Sequence, residues 1–139
     1  MSEPVDPDLV AASAGHRASV LVAVALGGAL GAPARYAVTR LVGGHDGAFP
    51  WATFAINVSG SLALGVLVAV LLARGRDKGQ LRALLGTGFL GAYTTYSTFG
   101  AETYELTQLS HWGLAVANVA ASAVVGVAAV ALGQQLGRL

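Results

Sequence analysis

The sequence contains no cysteine, which excludes disulfides and every thiolate metal site. Charge is scarce as well: Asp, Glu, Lys and Arg make up 11% of the chain, against roughly 25% in soluble domains, while 55% of the residues are apolar. A surface drawn from that supply cannot be wetted all round, so lipid is the expected solvent. The three histidines, His16, His45 and His111, are scattered without ligand spacing. A net charge of +1 makes no case for a nucleic-acid partner. There is no Walker loop and no nucleophile elbow, and the glycine-rich runs follow no strand pattern, so an enzyme is not expected.

What the chain does hold is long uncharged runs: Ala18 to Ala34, Pro50 to Ala73, Ala83 to Ala101 and Trp112 to Gly137. Each lies within or close to the ~17–25 residues that cross a hydrocarbon core of about 30 Å, so the expectation is an all-α membrane protein with four transmembrane helices. The expected bounds are about 18–41, 50–73, 81–106 and 112–137, within one domain over 1–139. Residues 1–17, acidic at Glu3, Asp6 and Asp8, are expected as a flexible tail. Ala32-Pro33-Ala34 resembles a signal cleavage site, but the apolar region is long for a signal and only Arg17 precedes it, so cleavage is not expected.

Connections are short. Val42 to Phe49 holds three glycines and Asp46, Arg74 to Gln80 is a charged hinge, and Leu106 to His111 is a brief turn. Trp51 and Trp112 open their helices from the same side, where amphipathic rings favour the membrane interface. Arg17, Arg74, Arg76, Lys78, Arg82 and Arg138 fall on one side, and only Arg35 and Arg40 on the other. By the positive-inside rule both termini are cytoplasmic.

The third run carries the exceptional stretch, GTGFLGAYTTYSTFGAE from Gly86 to Glu102. Glycines, threonines and a serine gather around Ala92 to Thr95, so the third helix is expected to break there. A break at membrane depth frees N–H and C=O groups that hydrocarbon cannot satisfy, and such breaks persist where the groups bind an ion or line a polar path.

Polar stripes on neighbouring helices supply such a path. Thr53, Asn57, Ser61 and Gly65 recur every four residues in the second helix, and Asn118, Ser122 and Gly126 do so in the fourth. On Asn57 alone, interhelical hydrogen bonding and pore lining are equal readings; two matched stripes favour a path. In the first helix Ala23, Gly27 and Gly31 form a small-residue packing seam. The path offers donors and no carboxylate at membrane depth, since Glu102 and Glu105 lie toward the end of the third helix, so an anion is the better cargo. Tyr96 and Phe99 stand three apart on one face, a spacing that by itself reads as packing, although ring edges can also meet a small anion.

Three pieces carry a resemblance to a known family: GGALGAPARY at Gly27 to Tyr36, ATFAINVSGSLALG at Ala52 to Gly65, and the Gly86 to Glu102 stretch. They resemble the Fluc (CrcB) family of fluoride channels over nearly the whole chain beyond the tail. The resemblance implies an antiparallel, dual-topology dimer in the cell membrane, with two fluoride pathways along the subunit interface. It implies a structural sodium ion on the two-fold axis, held by the backbone carbonyls of Gly91 and Thr94. Fluoride would pass Asn57 and the ring edges of Tyr96 and Phe99, with Thr53, Thr95 and Ser122 along the path and Arg35 and Glu102 nearer the mouths. The family motif TTFSTF reads TTYSTF here, which adds a hydroxyl at Tyr96. A dual-topology chain should balance its Lys and Arg, and this one does not, so the second subunit is either another copy or an inverted homologous partner. The alternatives are a small multidrug-type exporter, which wants a Glu absent from Ala18 to Ala34, and a non-transporting membrane assembly subunit.

Overall fold

The computed structural model describes residues 7–44, 46–73 and 79–139. Among them there is no strand. The elements are α1 (Pro7–Val42), α2 (Trp51–Ala73), α3 (Gly79–Arg82), a π-helical segment (Ala83–Leu90), α4 (Gly91–Tyr93), α5 (Tyr96–Gln108) and α6 (Trp112–Leu136). Three helices are long and apolar enough to cross a membrane: Gly15–Val42, Trp51–Ala73 and Trp112–Leu136. The run expected as the third span is divided into α3, the π segment, α4 and α5, with the chain extended between the last two.

α1 starts earlier than the hydropathy implies, because Pro7 at the first helical position has φ already set and lacks only an N–H that would be unpaired there, and alanines follow. Part of the expected tail is therefore helical, and residues 1–6 lie outside the described residues, as does most of the charged hinge at 74–78. α1 stops at Gly43, whose N–H still donates to the Thr39 carbonyl at 3.0 Å while its φ of +92°, a conformation that favours glycine, turns the following chain out of the helix.

Glycines seal two helix pairs. A Cβ on Gly27 would strike the Leu84 carbonyl and one on Gly31 the Phe89 carbonyl, so α1 lies backbone to backbone against the π segment, as the small-residue seam predicted. On the other side Gly65 abuts the Val130 carbonyl and Gly133 the Leu62 carbonyl, which closes α2 onto α6. The pairs meet at the break, where Gly60 of α2 leaves room for the Thr94 methyl group and the exposed Ser59 hydroxyl lies 2.9 Å from that of Tyr93.

Few side chains are wholly enclosed: Pro50, Ile56, Leu106 and Asn118 are the largest. Leu21, Leu30, Leu72, Val124 and Val127 are all more than 60% exposed, the inside-out pattern of a chain that meets lipid or another subunit. The two loops beside Trp51 and Trp112 touch. His111 Nδ1 lies 2.8 Å from the Gly47 carbonyl, so Nδ1 carries the proton and donates. Replacing His111 by Ala removes one partly buried hydrogen bond, and the expected result is a loss of about 1 kcal/mol, seen as a lower thermal midpoint in detergent. An unchanged midpoint would show that the clasp contributes nothing.

Candidate functional site

The break falls at Thr94 and Thr95, inside the Ala92 to Thr95 window marked by the sequence. Both residues are extended, with φ, ψ of −75°, 160° and −148°, 122°. Thr94 still donates its N–H to the Leu90 carbonyl at 2.9 Å, and its hydroxyl donates to the same oxygen at 2.9 Å. Thr95 does neither. An unbroken helix would send its N–H to the Gly91 carbonyl; here that N–H donates to Asn57 Oδ1 at 2.9 Å.

Asn57 answers in kind, donating Nδ2 to the Thr95 carbonyl at 3.0 Å. One carboxamide thus pairs both backbone groups of one residue, as a neighbouring strand would. Left unpaired, each group would cost about 1–3 kcal/mol, which gives a carboxamide at this position its structural reason. The amide retains a second N–H and further lone pairs for a ligand. The two readings of Asn57 left open by the sequence, helix joining and path lining, are compatible in this geometry.

The two helix ends created by the break are capped from nearby. Thr95 Oγ1 accepts from the Thr98 N–H at 3.1 Å, which makes it the N-cap of α5. At the other end the half-buried Arg35 reaches from α1 toward the Thr94 carbonyl, with Nη1 at 3.4 Å. Its charge lies beside the carbonyl end of α4, where a cation complements the helix dipole.

A cavity of about 370 Å³ opens on this break. Asn57, Gly60, Ser61, Leu64, Gly86, Leu90, Gly91, Thr94, Thr95 and Tyr96 line it. It therefore brings together Asn57, Gly91, Thr94, Thr95 and Tyr96, five of the residues picked out by sequence. Tyr96 is 85% exposed at its rim, and its ring centroid lies 6.0 Å from that of Phe99, with the planes at 40°. Thr53, Phe99 and Ser122 are not among the lining residues: Thr53 is buried in α2, and Ser122 sits on α6. Glu102 is half-buried on α5 one turn beyond Phe99.

Sequence reading missed Thr103. Its hydroxyl donates to the Phe99 carbonyl at 2.7 Å and accepts from Asn118 Nδ2 at 2.8 Å, so the α6 stripe reaches α5 through it. Its spacing of four from Phe99 was the available signal, since a helical Thr commonly bonds the carbonyl four residues back.

A family model described as CrcB-like protein, Camphor Resistance (CrcB), matches residues 22–134. The chain is 41% identical over 123 residues to the fluoride-specific ion channel FluC 1 of Mycolicibacterium paratuberculosis, spanning 88% of this chain and 93% of that one. It is 48% identical over 111 residues to FluC 1 of Streptomyces avermitilis, spanning 79% and 89% of the two chains. To FluC of Novosphingobium aromaticivorans it is 47% identical over 118 residues, spanning 83% and 93%.

Proposed function

The chain belongs to the CrcB family, and we propose that it is a fluoride-selective ion channel, not an enzyme, that releases cytoplasmic fluoride passively across the plasma membrane. The observation that carries this reading is the broken helix, pinned by Asn57 and opening on a polar-edged cavity, in a chain 41–48% identical to proteins named as fluoride-specific channels. Fluoride is small and strongly hydrated, so a pathway must replace its water with donors and still let it go. The second N–H of Asn57, the Tyr96 hydroxyl, the ring edges of Tyr96 and Phe99 and the Ser122 hydroxyl are such donors, with Thr53 and Thr95 beside them. Arg35, and Glu102 further along α5, stand toward the mouths.

The cavity is open because one subunit supplies only one wall, and we assign the other wall to a second subunit in antiparallel orientation, with the divided third run counted as the fourth span. A sodium ion suits the donor set at the break. Carbonyl oxygen is the proper ligand for a hard cation, and Gly91 has lost its helical N–H partner to Asn57. The Thr94 carbonyl retains a lone pair beyond the one that faces Arg35. Two carbonyls are too few to hold an ion, so Gly91 and Thr94 of both subunits would form the seat. When bound, the ion supplies a fixed positive charge at the centre of the dimer.

Reconstituting the purified chain in liposomes tests the function directly. Fluoride should leave, as read by a fluoride electrode, while chloride stays. Equal fluoride and chloride rates, or no fluoride flux either alone or with an inverted homologue, would reject the channel. Tyr96→Phe is expected to conduct within about fivefold of the unsubstituted chain, the effect of one hydrogen bond near 1 kcal/mol. A dead Tyr96→Phe channel would show that the hydroxyl is required for conduction.

A further inference from the structure

α5 and α6 are joined at a buried polar point that lies outside the cavity. Asn118 is 1% exposed, and its carboxamide sits where an apolar side chain would be the simpler choice. Its Nδ2 donates to Thr103 Oγ1 at 2.8 Å, the Thr103 hydroxyl donates to the Phe99 carbonyl at 2.7 Å, and the Ser122 hydroxyl donates to Asn118 Oδ1 at 3.5 Å. Every proton in this relay points the same way, from α6 through α5 to the backbone of Phe99.

That direction has a physical consequence. A hydroxyl has one proton and must choose an acceptor. With an Asn118 N–H on its oxygen, the Thr103 hydroxyl is held with its proton on the Phe99 carbonyl. That carbonyl then accepts a hydroxyl in addition to the N–H the helix returns to it, an arrangement that bends helices locally. The turn held by this extra bond carries the Phe99 ring, which lies 6.0 Å from the ring of Tyr96 at the cavity rim. A side chain on α6 is thereby linked through Thr103 to the backbone that carries a ring on α5.

We propose that Asn118, acting through Thr103, is a positioning residue for the Phe99 ring and thereby for the channel's preference for fluoride. This rests on the reading of the chain as a fluoride channel. Ser122 stands at the far end of the relay, 3.5 Å from Asn118 Oδ1, too long to hold its single proton there against an anion.

The test is a cycle of Asn118→Ala, Thr103→Val and the double variant, with Thr103→Ser as the conservative control. Fluoride and chloride efflux are measured in liposomes. In parallel, the 19F resonance of 4-fluorophenylalanine at position 99 is measured on the folded protein, which reports the ring's surroundings without requiring flux. Each single variant is expected to lower fluoride efflux about tenfold and shift the resonance, and the double variant to be no worse than the weaker single, because both break one relay. Thr103→Ser should restore efflux and resonance together. Unaltered efflux and resonance in Thr103→Val would overturn the proposal, and so would effects that multiply in the double variant. Thr103→Val changes shape little, so it decides the matter even if Asn118→Ala does not fold. If the unsubstituted chain passes no fluoride, the channel reading fails on that measurement alone, and the resonance still shows whether α6 positions the ring.

Discussion

Asn57→Asp is expected to reduce fluoride efflux by about three decades while leaving the protein folded. The substitution preserves shape, and one carboxylate oxygen can still accept the Thr95 N–H that Asn57 Oδ1 accepts at 2.9 Å. Two things are lost. The second oxygen cannot donate to the Thr95 carbonyl, so a hydrogen bond of 3.0 Å becomes a contact between two acceptors. A full negative charge also enters the wall of the cavity. A fluoride ion about 4 Å from that charge is repelled by roughly 4 kcal/mol at an effective dielectric constant of 20, and each 1.4 kcal/mol is tenfold in rate or occupancy. Repulsion therefore outweighs the unpaired carbonyl, which costs about 1–3 kcal/mol. Asn57→Leu reverses the balance: it adds no charge but strands both backbone groups of Thr95, and it should lower the thermal midpoint more than Asn57→Asp does. Efflux in Asn57→Asp equal to that of the unsubstituted chain would remove Asn57 from the fluoride path and leave it only the task of pinning the break.

Much of this site is legible in the sequence, and the parts that are not share a cause. Three of the four expected spans follow from uncharged run length, the packing of Gly27 and Gly31 from small residues at helical spacing, and the break from the glycines, threonines and serine gathered around Ala92 to Thr95. Each depends only on near neighbours along the chain. The pairing of Asn57 with Thr95 joins residues 38 apart and depends on where α2 lies against the break. The polar stripe of α2 shows how local reasoning drifts. A spacing of four advances about 40° per step on a helix of 3.6 residues per turn, so Thr53 and Gly65 point about 120° apart. Asn57 and Ser61 accordingly line the cavity, whereas Gly65 is spent on contact with α6. The π segment was not legible either. Gly86-Thr87-Gly88 signals a weak helix, and nothing local marks the wider turn or the close approach of α1 that Gly27, Gly31 and Gly88 permit.

That close approach yields the second large effect. Gly88→Val is expected to abolish efflux and to destabilise the protein by about 3 kcal/mol or more. A Cβ on Gly88 would stand 2.7 Å from the Val24 carbonyl oxygen, 2.9 Å from Gly27 Cα and 3.1 Å from Val24 Cα. All three are backbone atoms, so no rotamer relieves the clash and α1 must move away from the π segment. The same seam fixes where Gly91 and Thr94 lie relative to α2, because Gly88 is three residues before Gly91 in one helical run. A shift of even about 1 Å there would stretch both hydrogen bonds between Asn57 and Thr95 beyond useful length. Gly88→Ala carries the Cβ alone and should be intermediate, with a thermal midpoint lowered by a loss of about 1–3 kcal/mol and efflux reduced by more than that loss would suggest. Gly113→Ala is the control, since a Cβ there meets nothing within 4 Å and it should match the unsubstituted chain. If Gly88→Ala matches Gly113→Ala in both measurements, α1 does not hold the break in place. If its midpoint falls while its efflux stays intact, the seam stabilises the fold but does not position the site. Efflux that falls further than stability is the result expected of a seam whose first task is to aim the break at Asn57.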